Sequence, residues 1–148
     1  MRSFQFKFNR HIFWSNDILF KRSMIDSPLC SFCSNEEETL EHLFIHCPLI
    51  QPLWIELEKL LNHKFTLQEK LFGCYKNLND KNCDIVSHAS ILLKYYVHIS
   101  RLDKTIPQSF VMMKRLIYTS LMEENIAIKK GKTDRHHQKW KPIIDDFT

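Results

Sequence analysis

A chain of 148 residues, 44% hydrophobic and 12% aromatic, is long enough for one domain with a real core and too apolar for a disordered tail. Its two glycines offer few tight turns, which disfavours a sandwich or barrel, and no apolar run reaches the length of a membrane span. The net charge of +4 is unevenly spread: Lys129 to Lys141 holds six basic residues against Asp134, whereas Ser23 to Glu58 has seven carboxylates and no Lys or Arg.

The first block, Phe4 to Met24, mixes aromatic and basic residues and fits either a short strand or a helix. Its start, MRSFQFKFNRH, lacks the apolar stretch of a secretory signal. The expected setting is therefore intracellular and reducing, nucleus or cytoplasm, where clustered cysteines read as metal ligands before disulfides. Ser15 is placed to cap a helix over 16–22. Ser27-Pro28 then opens a polar loop containing Cys30, Cys33, His42 and Cys47 in the pattern C-x2-C-x8-H-x4-C. A short helix is expected over His42 to His46, ended by Pro48.

Leu49 to Leu61 reads as an amphipathic helix that tolerates Pro52 in its first turn. Thr66 and Glu69 form a capping box for another short helix, which Gly73 stops. Asn77 to Cys83 is a mostly polar connection. Asp84 can cap a helix over 85–101, and Pro107 opens the last long one, with Phe110, Met113, Ile117, Leu121 and Ile128 on one side. Lys129 and Lys130 suit that helix's C-terminal dipole and Gly131 its end. A His- and Lys-rich tail with Trp140 follows. The expectation is a mainly α fold of four to six helices. It forms a single domain over residues 1–148, with a zinc module at about 27–55, a helical part at about 56–130 and a basic tail at 129–148.

The cysteine and histidine spacing points to Zn²⁺. A closed set of four Cys and His ligands makes a structural site with no position left for an activated water. Cys30, Cys33 and His42 have no rivals. For the fourth ligand, Cys47 and His46 are adjacent: a straight helix would put His42 and His46 on one face, whereas Pro48 pushes Cys47 out of the helix and lets its thiolate return. The spacing favours Cys47. Gripping phosphate would require Lys and Arg around the metal, and this segment has none. The metal therefore reads as a staple that orders the loop and docks the Trp54 helix. Cys74 and Cys83 lack this spacing and read as ordinary thiols.

The run DSPLCSFCSNEEETLEHLFIHCPLIQPLW resembles the reverse-transcriptase zinc-binding domain of non-LTR (LINE-type) retrotransposons. The likeness rests on the CxxC pair, on Glu38, Thr39, His42 and Cys47 in an E-T-x-x-H-x-x-x-x-C element, and on Trp54 soon after. Softer likenesses extend to FQFKFNRHIFWSNDILFKR, ILLKYYVHISR, PQSF, EENIAIKKGK and QKWKP. The resemblance implies a non-catalytic module that binds template RNA or target DNA, with other domains of a retrotransposon polyprotein as partners. Phosphate contacts are expected from Lys129, Lys130, Lys132, Arg135, Lys139 and Lys141, with Trp140 stacking on a base and Lys7, Arg10, Lys21 and Arg22 as a second contact. Asp145-Asp146 lacks a third carboxylate and reads as an acidic end rather than a polymerase pair. His136 and His137 read as exposed, and Tyr95 and Tyr96 as core. The rival reading is a structural or protein-interaction module with no nucleic-acid role.

Overall fold

The computed structural model describes residues 2–10, 12–74 and 83–145. Asp146 and most of the connection from Asn77 lie outside them. Among the described residues the fold is all helical, with one isolated antiparallel bridge between Leu29 and Glu37 and no strand. The seven α-helices and one π-helical turn among the described residues exceed the four to six helices expected. None is long and apolar enough to cross a membrane.

Helix α1 (Arg2–Asn9) resolves the strand-or-helix question, because Phe4 and Phe8, four residues apart, both turn inward. They meet Phe13 and Phe44 edge-on, with ring centroids 5.2–6.1 Å apart, and Phe4 stacks on His98 at 5.3 Å. Helix α2 (Asn16–Lys21) starts after Ser15, whose extended backbone fits a cap although its hydroxyl bonds Asp17 instead.

Helix α3 (Gln51–Leu61) buries Leu53, Trp54, Leu57, Leu60 and Leu61 on the predicted stripe. Asn62 closes it in the left-handed region, at φ 46°. Helix α4 (Leu67–Phe72) has both halves of the Thr66–Glu69 capping box. At its end Gly73 has φ 89°, which a side chain rarely adopts, and an added Cβ would lie 3.2 Å from Ser87 Oγ.

Helix α5 (Cys83–Leu102) runs through the core and buries Ile85, Ala89, Leu93 and Val97. It also buries Lys94, whose Nζ donates to Leu71 O at 2.6 Å and lies 4.4 Å from the Phe8 ring centroid. The ammonium thus caps the carbonyl end of α4, and burial lowers its pKa to about 7.

Two expectations fail in the last third. Helix α6 (Ser109–Lys129) buries Met112, Leu116 and Ser120, whereas Phe110, Leu121 and Ile128 from the predicted stripe are exposed. Both sides of this helix carry apolar residues, so periodicity alone does not choose the inner one. The expected basic tail is helix α7 (Thr133–Ile144). His136, Trp140 and Ile143 fall at i, i+4 and i+7 and are buried beside α6. The buried residues from Phe4 to Ile143 form one continuous hydrophobic cluster.

Candidate metal centre

Cys30 and Cys33 sit on a tight turn. The Cys30 N–H donates to Glu36 O at 2.8 Å, the Ser34 N–H returns to Cys30 O at 3.0 Å, and the Phe32 N–H points at Cys30 Sγ at 3.5 Å. Ser34 takes the left-handed conformation, with φ 56°. Two thiols therefore face one point across a two-residue gap.

His42 comes from the other side of the loop. The Thr39 hydroxyl accepts from its backbone N–H at 3.0 Å, capping the turn. Residues His42–His46 form a π-helical turn rather than an α-helical one. The Cys47 N–H therefore donates to His42 O, five residues back, at 2.8 Å. Cys47 then leaves the helix with ψ 127°, ahead of Pro48. Its thiol turns inward while His46 stays exposed, 4.0 Å from Glu41.

Cys30, Cys33, His42 and Cys47 bring one donor atom each to within 4.8 Å of the others. Cys30 Sγ and Cys47 Sγ are 3.9 Å apart, and Cys33 Sγ and His42 Nε2 are 3.3 Å apart. Zn–S and Zn–N bonds of about 2.3 and 2.0 Å set donor separations of about 3.5–3.8 Å in a tetrahedron. The donor set therefore fits Zn²⁺ with little rearrangement. His46 is not part of the set.

The thiols differ in acidity. Burial raises Cys30 and pushes Cys47 up to about 12, with the neighbouring sulfurs adding to the rise. Burial also opposes ionisation of Cys33, but the Asn35 N–H and the His42 ring outweigh it and bring Cys33 to about 7. His42 Nδ1 is 3.2 Å from Glu36 Oε2 but makes no well-aligned hydrogen bond. Glu36 is thus the carboxylate placed to pair with a metal-bound His42, the contact that steadies such imidazoles.

Glu38 anchors the loop. It is fully buried, and its carboxylate accepts from the Asn16 N–H at 3.0 Å and the Ser31 N–H at 2.7 Å. Arg101 of α5 reaches the same carboxylate at 2.6 Å and Asn16 Oδ1 at 2.9 Å. Asn16 in turn donates to Leu29 O at 2.8 Å. One carboxylate thus ties the Cys30–Cys33 turn to α2 and α5. This revises the picture of an unrelieved acidic loop, since Arg101 neutralises Glu38 and Lys21 lies 3.6 Å from Asp17 and 3.9 Å from Glu37. The motif marked Glu38 and Thr39 in the sequence, but its spacing did not reveal their partners. On the far side, Trp54 Nε1 donates to Phe44 O at 2.8 Å and docks α3 on the π turn.

The expected nucleic-acid residues divide. Lys129, Lys130, Lys132, Arg135 and Lys141 are exposed. Lys130, Lys132 and Arg135 line a cleft of ≈300 Å³ at the α6–α7 turn, with Arg135 3.6 Å from Asp84. Lys139 is committed internally, 3.0 Å from Glu123 and 2.7 Å from His88 Nδ1. Trp140 is 0% exposed and donates to Glu123 at 2.8 Å, so it is not available to stack on a base. Trp14 is the tryptophan that reaches solvent, 45% exposed, with the Arg22 guanidinium 5.0 Å from its ring centroid. Of the two histidines read as exposed, His136 is buried against Ser120 O at 2.9 Å, and His137 reaches Glu124 at 3.1 Å. Tyr96 is core as expected, its hydroxyl accepting from the Gln108 N–H at 3.0 Å.

No curated protein matches the chain. Residues 1–54, just over a third of the chain, match a family described as zinc-binding in reverse transcriptase, and that stretch contains all four donors and ends on Trp54.

Proposed function

We propose that this chain is a zinc-stapled, non-catalytic module of the kind found in LINE-type retrotransposon reverse transcriptases, and that it binds RNA or DNA through phosphate contacts. The observation that carries the zinc reading is the convergence of Cys30, Cys33, His42 and Cys47 inside the stretch that matches the reverse-transcriptase family. Bound there, Zn²⁺ would supply cross-linking only, because four protein donors leave no position for substrate. Cys30 and Cys33 would hold one side, and His42 and Cys47 the other.

The nucleic-acid reading is supported by the cleft at the α6–α7 turn. Lys130, Lys132 and Arg135 line it, and the exposed Lys129 ends α6 just before them. Trp14 beside Arg22 is the candidate stacking surface. Binding to fluorescent single-stranded RNA and DNA, followed across salt concentrations, tests this. If about four phosphates are contacted, log affinity falls against log salt with a slope of roughly −3. Replacing Lys129, Lys130, Lys132 and Arg135 together by Gln removes most of that slope and leaves the fold intact. Deleting the segment is no test, because it takes Trp140 and Ile143 out of the core.

The interaction-module reading is favoured by one observation, the exposed apolar face of α6. Absence of binding at low salt, or a slope unchanged in the quadruple variant, decides for that reading.

A further inference from the structure

Helix α6 buries one stripe and leaves another at the surface, bordered on one side by α7. This surface stripe is Phe110, Lys114, Ile117, Leu121, Glu124 and Ile128, with Ile117 and Glu124 half-buried and the other four exposed. The intervals alternate between four and three residues, which is the repeat of a two-helix seam rather than of a surface helix. Phe110 is 66% exposed, Leu121 54% and Ile128 60%. Beside this stripe runs a groove of ≈610 Å³, floored by Ile117 and Leu121 and walled from α7 by Gln138 and Lys141.

The stripe is self-complementary in one orientation. An antiparallel copy related by a two-fold axis at Thr119 sets Phe110 opposite Ile128, Ile117 opposite Leu121, and Lys114 opposite Glu124. Each match occurs twice, as an isologous interface requires. A parallel copy would instead stack Lys114 on Lys114 and Glu124 on Glu124. In the single chain the Lys114 ammonium lies 4.3 Å from its own Phe110 ring centroid, and the Glu124 carboxylate reaches the exposed His137 of α7 at 3.1 Å.

We propose that the chain forms a homodimer through antiparallel pairing of α6 with α6 of a second copy, the apolar layers supplying affinity and the Lys114–Glu124 layers fixing orientation. The charge layer carries the choice of occupant, because an arbitrary apolar partner would not need cations and carboxylates at mirrored positions. The proposal is independent of metal and nucleic acid, and its seam omits the four basic residues tested for binding.

Sedimentation of the full 148-residue chain in reducing buffer, from low micromolar to several hundred micromolar, reads the result. The wild-type chain is expected to shift from monomer to dimer. Lys114→Glu and Glu124→Lys each create two like-charged layers and should weaken self-association by about tenfold or more. Mixed in equal amounts, the two variants should form a heterodimer, since each then meets its complement. Leu121→Glu, at a site more than half exposed, should abolish dimerisation while circular dichroism stays native. A chain that remains monomeric throughout overturns the proposal. So does a dimer indifferent to both charge reversals, or one that fails to form from the mixed variants while folding is unchanged.

Discussion

The acidic loop from Ser23 to Glu41 and the basic segment from Lys129 to Lys141 carry opposite charge, but each is a charged stretch that a solvated surface would accommodate. The fold treats them alike too, but differently from that expectation. Each buries side chains, Cys30 and Glu38 from the loop and His136 and Trp140 from the basic segment, with Glu38 and Trp140 0% exposed. The means of holding them differ. The loop is held by polar atoms, with Glu38 gripping Asn16, Ser31 and Arg101 around a set of metal donors. The basic segment is held by apolar burial against α6, with Glu123 taking up the Trp140 N–H and the Lys139 ammonium. A region built on a few polar bonds depends on every one of them, because each lost partner leaves a buried group unpaired. A region built on burial loses stability roughly in proportion to the area removed.

The sharpest way to break this comparison is to remove the metal. Chelation, or Cys33→Ser, is expected to unfold the loop over roughly residues 27–55, since site assembly and local folding are one event. Hydrogen exchange should show the loss confined to the loop and α3, with α5–α7 still protected. Uniform loss of protection would erase the distinction between the two regions. Metal analysis finding no zinc in folded, reduced protein would remove its basis.

Next in size is Trp140→Ala, which should cost about 3–5 kcal/mol in chemical denaturation. Trp14→Ala should cost little and instead weaken nucleic-acid binding, the reverse of what the basic-tail reading implies. Glu38→Gln should cost about 3 kcal/mol by leaving Arg101 without its counter-charge. It should also loosen the Cys30–Cys33 turn, seen as faster zinc release to a competing chelator. A Glu38→Gln protein with wild-type zinc kinetics would separate the carboxylate from the metal loop.

The smallest effect concerns Lys94. Its folded pKa of about 7 lies below the unfolded value near 10.5, so the unfolded chain binds the extra proton between those limits. Stability should therefore rise as pH goes from about 7 toward about 10, by on the order of a few kcal/mol at most. Below pH 7 both states are protonated and this contribution is flat. Lys94→Met should remove the rise. Denaturation curves at several pH values for both proteins check this, and identical pH profiles would show that Lys94 does not titrate in the fold.

Much of this was legible in the sequence, and the failures share a cause. Local signals held: the Thr66–Glu69 box, the Leu53–Trp54–Leu57 stripe, and the spacing that brings Cys30, Cys33, His42 and Cys47 together. All are decided by residues close in the chain. Lys94 and Glu38 were illegible as core residues because their partners, Leu71 O and Arg101, lie far off in sequence. Trp140 was hidden by its charged neighbours, although His136, Trp140 and Ile143 form a helical stripe. On α6 two apolar stripes compete, and tertiary packing buried the one containing Ser120.

The π-helical turn at His42–His46 has a consequence for length variation. A wide turn holds one residue more than the α-helical path across the same gap. Deleting one residue between His42 and Cys47 would let the segment relax into ordinary helix, at no cost to its backbone bonds. The cysteine would still donate to His42 O, now four residues back, so its thiol would stay beside Cys30. The loop between Cys33 and His42 has no such slack, because Glu36 O accepts from the Cys30 N–H and the Glu38 N–H donates to Pro28 O, each at 2.8 Å. Length changes should therefore be rejected between Cys30 and Glu38, while a single deletion after His42 is tolerated, so the wide turn is the slack in the site's spacing.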